Sequence, residues 1–188
     1  MHLHPVDDPR GALVLGHGAG GGVEARDIVA VTAAARAERF SVALVVQPYR
    51  VAGRRSPAPA KQLDAAWLSV IGQLRAGELG GLPLVAAGRS AGARVACRTA
   101  AEVGADAVLC LAFPVHPPGR PEKSRLEELD AVEVPVLVIQ GASDPFGIPP
   151  PAPGRDVVTV RGNHSLSGDV EAVSGAVARW LSGPNFRV

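Results

Sequence analysis

The sequence predicts an α/β protein, a three-layer α/β/α sandwich with a mainly parallel sheet of about six strands at its centre. Short apolar runs alternate along the chain with longer segments in which apolar residues recur at helical spacing. This alternation is typical of strand–helix–strand units, whose crossovers are right-handed and whose strands are parallel. The apolar runs are continuous, as expected for strands that helices cover on both faces. We expect one domain over residues 1–188, since a chain of this length folds around a single core.

The strands are predicted from the apolar runs, of which the second is rich in β-branched valine. They lie at 12–15, 41–46, 84–87, 107–111, 134–139 and 156–160. Apolar residues with a period of about 3.6 predict helices between the strands. These helices lie at 23–39, at 61–76, directly after the third strand, at 126–129 and at 170–181. Longer loops are expected at 47–60, 113–125 and 141–155. Ligands bind beyond the carboxyl ends of the strands in such sheets, so residues that follow each apolar run are candidates for function.

Composition and charge argue against several classes of protein. The formal net charge is +1, so no excess of charge indicates binding to nucleic acid or to a membrane. No apolar run approaches the ~20 residues that a membrane-spanning helix needs. Residues 1–11 lack the basic and apolar regions of a signal peptide, so we expect a cytoplasmic protein. Cys97 and Cys110 lie in apolar segments and are predicted to be buried free thiols, with a disulfide as the alternative.

The third strand leads into the segment on which the functional prediction depends. It ends in Gly88-Arg89-Ser90-Ala91-Gly92, and small residues at helical spacing follow. This is G-x-S-x-G between a strand and a helix, an arrangement that exposes a nucleophilic serine on a sharp turn. A serine on such a turn has a strained backbone with φ above zero, and side chains at 88 and 92 would collide with the turn. The structural alternative is a glycine-containing loop of any parallel sheet.

An acid and a histidine follow Ser90 at later candidate strand ends. Asp144 lies in GASDPFG (141–147) after the fifth strand, and His164 lies in RGNHSL (161–166) after the sixth. Serine, acid, histidine is a chain order known for nucleophilic triads on parallel sheets. Each residue also has a structural alternative, since an aspartate before a proline often starts a turn and the histidine could cap the last helix or lie in solvent. The coincidence of all three at one edge favours a catalytic triad.

Acyl transfer also needs two hydrogen-bond donors for the oxyanion that develops on the carbonyl. One is expected to be the backbone N–H of Ala91, at the N-terminus of the helix that follows Ser90. The second is expected in HGAGG (17–21), because glycines let a backbone approach a substrate closely. We assign it to the N–H of Ala19, with Gly20 as the alternative. The histidine of this loop is expected to brace it by hydrogen bonds. The loop residues that are candidates for contact with substrate are His17, Gly18 and Gly20.

The segment GHGAGG (16–21) also fits the dinucleotide-binding pattern G-x-G-x-x-G after a strand. That pattern needs an acid at the end of the second strand to bind the ribose, where this chain has QPYR (47–50). Arg50 could instead bind a 2′-phosphate, so this alternative stays open. The P-loop pattern is absent from the sequence and no spacing of Cys and His suggests a metal site, so we expect neither a cofactor nor a metal.

With these motifs the sequence resembles the α/β-hydrolase superfamily over residues 13–181. It is most similar to the small, lidless members that resemble dienelactone hydrolases. The segments 48–55, 113–123 and 140–147 are similar to a branch that contains the testis-expressed hydrolase-like proteins and the hydrolase-like domain of a chromatin-complex subunit. The resemblance implies a minimal α/β-hydrolase fold without a cap domain, and it assigns the triad to the three residues named above.

The sequence departs from this family in three respects. It begins at what would be the third strand of the full fold, so the usual first hairpin is expected to be absent or vestigial. No insertion is long enough for a cap domain. The nucleophile is Ser90 where true dienelactone hydrolases use cysteine, which argues against that substrate. Because the branch includes members thought to be non-catalytic, the resemblance implies the fold more directly than it implies turnover.

These observations predict a serine hydrolase that acts on a small ester or thioester through an acyl-enzyme, with Ser90, Asp144 and His164 as its triad. The alternative function is a non-catalytic module of the same fold that binds a ligand or a partner. Two loops at the carboxyl edge are rich in cations, which are Arg50, Arg54 and Arg55 in one loop and Arg120, Lys123 and Arg125 in the other. They form either a solvated face or a surface that attracts an anionic acyl substrate. His116 in the second loop is a further candidate for contact with substrate.

Overall fold

The structure is a computed structural model that describes residues 1–54 and 58–183. Its strands are β1 His2–His4, β2 Gly11–Gly16, β3 Phe40–Val45, β4 Leu84–Arg89, β5 Ala107–Leu111, β6 Val136–Gly141 and β7 Arg155–Val160. Its helices are α1 Arg26–Ala37, α2 Pro48–Val51, α3 Ala60–Ala76, α4 Ala91–Thr99, α5 Leu126–Asp130 and α6 Val170–Leu181. The predicted α/β class, with helices between the strands of one sheet, is confirmed.

The sheet has the strand order β1-β3-β2-β4-β5-β6-β7. Its neighbouring pairs from β3 to β7 are parallel, whereas β1 runs antiparallel to β3, with His2 opposite Leu44. The sequence analysis did not predict β1, because its three residues contain no apolar run. A short edge strand of this kind is held by its backbone hydrogen bonds, which residue types do not reveal. A single short strand therefore stands where the hairpin was expected to be absent or vestigial.

The core lies in two layers, one on each face of the sheet. Successive residues of β2 point to opposite faces, so Val14 packs in the layer of α3, α4 and α5, while Leu13 packs in the layer of α1 and α6. Strands β2, β3, β5 and β6 are buried at every residue. Burial on both faces is the physical reason that their apolar runs do not alternate with polar residues.

The helices differ from the prediction mainly at their ends. Helix α1 begins at Arg26 and ends at Ala37, inside the predicted span 23–39. Helix α2 lies within the predicted loop 47–60 and begins at Pro48, since proline has the φ of a first helical residue. Helix α6 has the predicted bounds. In the described parts of the chain, no helix combines the length and apolar character needed to cross a membrane.

Cys97 on α4 and Cys110 on β5 are buried free thiols, as predicted, and their Sγ atoms lie 3.5 Å apart. The hydrogen bond with Cys97, together with burial, raises the pKa of the Cys110 thiol well above its ordinary value. Cys110 therefore stays protonated at neutral pH and packs as a small apolar side chain.

Candidate active site

The sharp turn between β4 and α4 carries Ser90. Its backbone has φ 53° and ψ −111°, a conformation that costs an L-residue about 1–3 kcal/mol. A Cβ atom at Gly88 would lie 2.1 Å from the carbonyl carbon of Gly92, and one at Gly92 would lie 2.3 Å from the oxygen of Gly16. The two glycines of the pattern therefore let the turn close against β2, and the serine has the positive φ that the pattern predicts.

Three loops at the carboxyl edge of the sheet bring Ser90, Asp144 and His164 together. Nε2 of His164 lies 2.8 Å from Oγ of Ser90, and Nδ1 of His164 lies 2.8 Å from Oδ2 of Asp144. Because a carboxylate only accepts hydrogen bonds, the contact with Asp144 places the proton on Nδ1 and leaves Nε2 to accept from the serine hydroxyl. This is the tautomer that a general base for serine needs.

The Asp144 carboxylate is also fixed by donors other than the histidine. Its Oδ2 accepts from Nε2 of Gln140 at 2.8 Å, and its Oδ1 accepts from the backbone N–H of Phe146 at 2.9 Å. The Gln140 side chain is fully buried. Its Nε2 also lies 3.1 Å from the carbonyl oxygen of Phe113 and 2.8 Å from that of Gly147. The buried amide thus connects strand β6 to the loop that carries the acid.

Phe146 covers one side of the histidine. Its ring stacks on the imidazole of His164 with centroids 4.1 Å apart and an angle of 29° between the planes. Stacking at this distance is favourable for aromatic rings. The stacked ring therefore restricts the orientation of the imidazole in addition to the restriction that the hydrogen bond to Asp144 imposes. The sequence analysis did not identify Phe146 or Gln140 as site residues.

Arg89, the residue before the serine, connects the turn to two other loops. Its Nε donates to Oδ2 of Asp27 at 2.7 Å, and its Nη2 donates to the carbonyl oxygen of His164 at 3.2 Å. The side chain of Asp27 is 1% exposed and that of Arg89 is 14% exposed. A Cβ atom at Gly18 would lie 3.1 Å from Nη1 of Arg89. One buried ion pair therefore joins the turn to the start of α1 and to the histidine loop.

The proposed oxyanion donors belong to residues that line the same pocket as Ser90, namely Ala19 and Ala91. Ala91 is the first residue of α4, where N–H groups have no partner within the helix. In the described chain, neither N–H donates to a protein acceptor. Gly18 lies against the serine, since a Cβ atom there would be 3.1 Å from Cβ of Ser90. A Cβ atom at Gly20 would meet no atom within 4 Å, so the loop leaves space beside the nucleophile.

Ser90 and His164 open into a pocket of about 680 Å³, within the ~300–1,000 Å³ that is usual for small-molecule sites. The arginines that line it are Arg89, Arg94, Arg98 and Arg125. No carboxylate side chain of the described residues lines it. The sequence analysis pointed only to Arg125. The arginines at 94 and 98 follow Ser90 at intervals of one and two helical turns, so they lie on the same face of α4 as the serine.

His17, a predicted candidate for contact with substrate, does not line this pocket. The side chain is 1% exposed. Its Nε2 accepts from the backbone N–H of Gln47 at 3.0 Å, and its Nδ1 donates to the carbonyl oxygen of Gly18 at 2.7 Å. Burial lowers the pKa of His17 below its ordinary value. Both ring nitrogens are thus occupied in holding the glycine loop.

The predicted cations of the first loop lie elsewhere as well. Arg50 and Arg54 line a separate cavity of about 360 Å³ together with Glu24, because α2 carries Arg50 to that cavity. The structure therefore does not bring Arg50 into the pocket of Ser90, where contact with substrate was expected. Arg55 lies outside the described residues. In the second loop, Arg120 and Lys123 are exposed and do not line the pocket of Ser90.

His116 packs against the loop that carries the acid instead of lining the pocket. Its backbone N–H donates to the carbonyl oxygen of Phe146 at 3.1 Å. A Cβ atom at Gly147 would lie 2.8 Å from Nε2 of His116, so the two loops are in close contact there. The structure therefore does not bring His116 into the pocket where contact with substrate was expected, and its ring lies against the Asp144 loop.

The structure disfavours the dinucleotide-binding alternative. Helix α1 begins at Arg26, after the last glycine of the pattern at Gly21, whereas that fingerprint uses its last glycine for packing of the helix that it opens. As for metals, the described residues contain no group of three or more His, Cys, Asp and Glu side chains that could hold an ion.

Comparison with known proteins identifies relatives of this chain. A family model described as an alpha/beta hydrolase domain matches residues 9–157, a span that includes Ser90 and Asp144 and ends before His164. No curated protein matches the sequence.

Several solved structures share the fold. Est1E from Butyrivibrio proteoclasticus, with ferulic acid bound, has a TM-score of 0.75 at 18% identity, over 96% of this chain and 93% of that chain. An α/β serine hydrolase without a lid from Xanthomonas campestris has a TM-score of 0.72 at 20% identity, over 93% and 84%. Dienelactone hydrolase from Anabaena variabilis has a TM-score of 0.72 at 18% identity, over 96% and 89%. The predicted small, lidless architecture agrees with these neighbours, one of which is described as a serine hydrolase without a lid.

Proposed function

This chain belongs to the family of alpha/beta hydrolase domains, and from that premise we propose that it is a serine hydrolase that cleaves a small ester or thioester. The observation that carries the proposal is the continuous row of hydrogen bonds at the site. Nε2 of His164 is 2.8 Å from Oγ of Ser90, and Nδ1 is 2.8 Å from Oδ2 of Asp144. A serine hydroxyl is a weak nucleophile, and a base within hydrogen-bond reach is what activates it.

In the proposed reaction, Oγ of Ser90 attacks the acyl carbonyl while Nε2 of His164 takes the hydroxyl proton. Asp144 stabilises the imidazolium that forms. The histidine then gives the proton to the leaving alcohol or thiol, which departs and leaves an acyl-serine. Water attacks this ester with His164 again as the base, and the acid is released with the serine restored.

The negative charge on the carbonyl oxygen is assigned to the backbone N–H groups of Ala19 and Ala91. Both residues line the pocket, and the N–H of Ala91 belongs to the first turn of α4, where the helix dipole also favours negative charge. A donor in this role typically contributes about 10²- to 10³-fold to turnover.

The proposal of a small substrate rests on the shape and lining of the pocket. A volume of about 680 Å³ admits a short or aromatic acyl group. The arginines at its wall disfavour a long lipid chain, because guanidinium groups lose hydration against hydrocarbon. Est1E, the structural neighbour with ferulic acid bound, and the dienelactone hydrolase neighbour support a small ester as the class to test first.

The experiment is labelling with a fluorophosphonate probe, read by intact mass. Wild type is expected to gain one adduct, and Ser90→Ala and His164→Ala are expected to gain none, because the probe reacts with a serine that a base activates. Ser165→Ala is the matched control. Ser165 lines the same pocket but has no base assigned to it, so this variant should label like wild type.

Two outcomes would contradict the proposal. One is the absence of an adduct on wild type that circular dichroism shows to be folded, which would favour the non-catalytic module. The other is an adduct that Ser90→Ala retains, which would assign the reactive group to another residue. If labelling succeeds, hydrolysis of 4-nitrophenyl esters by the same variants measures turnover.

A further inference from the structure

We propose that Arg125 forms, beside Ser90, a binding site for the carboxylate of an anionic acyl group, so that the substrates of this enzyme are esters or thioesters of dicarboxylic acids. This inference rests on the proposed serine-hydrolase function and names its substrate class. Arg125 is one of the cations that line the catalytic pocket. Its side chain differs from the others in having no hydrogen bond or ion pair to a described residue.

The other arginines of the pocket are held from behind by carboxylates. Arg94 makes two hydrogen bonds to Glu128, from Nε to Oε2 at 2.7 Å and from Nη2 to Oε1 at 2.5 Å. Arg98 makes two to Asp64, at 3.0 and 2.6 Å, and a third to Glu128 at 3.3 Å. Neither acid lines the pocket. These guanidinium groups are therefore neutralised on the side that faces away from substrate.

Arg89 is paired in the same way with the buried Asp27. The remaining acid of the site, Asp144, is committed to His164 and to the donors that fix it. Three arginines thus have three carboxylates, which are Asp27, Asp64 and Glu128. Among the described residues, none of these acids forms an ion pair with the fourth arginine of the pocket.

The guanidinium of Arg125 is half-buried and has no hydrogen bond or ion pair to any residue that the structure describes. The nearby acid, Glu128, is already used by Arg94 and Arg98. Burial and the neighbouring charge of Arg94 lower the pKa of Arg125 below its ordinary value, although the charge of Glu128 acts in the opposite direction, and an arginine keeps its proton in proteins. A partly desolvated cation without a partner is costly, and a bound carboxylate would supply the two acceptors that its planar fork matches.

The backbone of Arg125 is fixed, which makes the group suitable for selective binding. Its N–H donates to the carbonyl oxygen of Val115 at 2.7 Å, and the residue directly precedes α5. The side chain therefore starts from a defined point on the pocket wall. A fixed backbone reduces the conformational freedom that is lost when the side chain binds a ligand.

The layers of the fold indicate which end of the ester meets this cation. The leaving group must take its proton from Nε2 of His164, and the histidine loop follows β7 near the start of α6. Arg94 and Arg98 lie on α4 and Arg125 directly precedes α5, and the apolar sides of these two helices pack in the opposite core layer. The acyl chain therefore extends toward the arginines, and the leaving group lies on the histidine side.

The test compares two esters that differ in one group. 4-Nitrophenyl glutarate carries a terminal carboxylate on its acyl chain, where 4-nitrophenyl pentanoate carries a methyl group. Arg125→Gln is expected to lower the ratio of kcat/KM for glutarate over pentanoate by about 10- to 100-fold, the usual effect of losing a charge-assisted pair. Arg125→Lys keeps the charge without the fork and should give an intermediate ratio. Arg120→Gln removes one exposed positive charge from the same loop and should leave both rates unchanged.

A third ester, 4-carboxyphenyl pentanoate, places the carboxylate on the leaving group. The ratio of kcat/KM for this ester over 4-nitrophenyl pentanoate should be the same in wild type and Arg125→Gln. If Arg125→Gln lowers this ratio and leaves the ratio for 4-nitrophenyl glutarate unchanged, the assignment of the carboxylate to the acyl side is wrong. If wild type and Arg125→Gln have the same ratio of kcat/KM for glutarate over pentanoate, the carboxylate site is wrong and the serine hydrolase still stands. If folded wild type hydrolyses none of the esters and Ser90 takes no phosphonate, both the hydrolase and this site are wrong.

Discussion

At the scale of single residues, the ion pair between Arg89 and Asp27 holds the turn that carries Ser90. Asp27 lies in the first turn of α1, and its carboxylate is almost completely removed from water. A buried carboxylate needs a partner, because the cost of desolvation is recovered only through close, hydrogen-bonded contact. The same guanidinium donates to the carbonyl oxygen of His164. The ion pair therefore helps to position both the turn that carries Ser90 and the loop that carries His164.

We predict that Arg89→Met lowers the free energy of unfolding by about 3 kcal/mol, since it leaves the charge of Asp27 buried without a partner. Urea denaturation followed by circular dichroism measures this. The double variant Arg89→Met/Asp27→Leu, which removes both charges, should recover more than half of the loss. If the double variant is less stable than the single one, the buried charge is not the cause of the destabilisation.

Site residues that directly follow a strand were predicted from the sequence, whereas site residues inside a strand or helix were not. Ser90, Asp144 and His164 each come after an apolar run, and parallel topology brings the ends of such runs to one edge. Gln140 was missed because a polar residue within an apolar run gives no sign of its partner. Arg94 was missed because candidate cations were considered only in the loops at the carboxyl edge, although its spacing of four residues from Ser90 indicates a shared face of α4. The catalytic roles of the three edge residues stay predictions until labelling is done.

At the scale of elements, Gly92 determines how closely α4 approaches the sheet. Gly92 is in the first turn of α4, and the oxygen of Gly16 at the end of β2 occupies the place that its Cβ would take, at 2.3 Å. Backbone atoms cannot rotate away as a side chain does, so any larger residue must move the helix or the strand. Movement of α4 would carry Ser90 with it, because the serine directly precedes the helix.

A pair of Gly→Ala variants separates this contact from helix propensity. Gly92→Ala is predicted to lower the free energy of unfolding by about 2–3 kcal/mol through overpacking. Gly72→Ala lies in the exposed interior of α3, where a Cβ would meet no atom within 4 Å, and should raise it by about 0.5–1 kcal/mol. Thermal and urea denaturation measure whether the free energy of unfolding falls in Gly92→Ala and rises in Gly72→Ala. A stabilising Gly92→Ala would mean that the helix does not pack this closely against β2.

Elements were predictable where burial is continuous and not where backbone pairing alone defines them. Apolar runs in the sequence predict the buried strands. Strand β1 has no such run, and its register with β3 comes from backbone hydrogen bonds. Helix α2 was hidden for a related reason, since four residues that begin with proline are too few to show a helical period.

Across the whole molecule, a net charge of +1 conceals an uneven distribution of charge. Four arginines line the proposed catalytic pocket, and the acids that balance three of them lie behind the wall, on α1, α3 and α5. These acids come from distant parts of the sequence, so composition and local pattern could not predict a cationic pocket. Only the packing of α3, α4 and α5 on one face of the sheet creates it.

The stability of the whole fold should depend on the protonation of His17. Burial lowers the pKa of this histidine below its ordinary value of 6.5. As pH falls below 6.5, the unfolded chain takes up a proton that the folded chain does not, so the free energy of unfolding falls until the folded pKa is passed. We predict that His17→Gln reduces the loss of stability between pH 7.5 and 5.5 in urea denaturation, whereas His2→Gln, at an exposed position, does not. An unchanged pH dependence in His17→Gln would mean that this ring is not the group that senses acid.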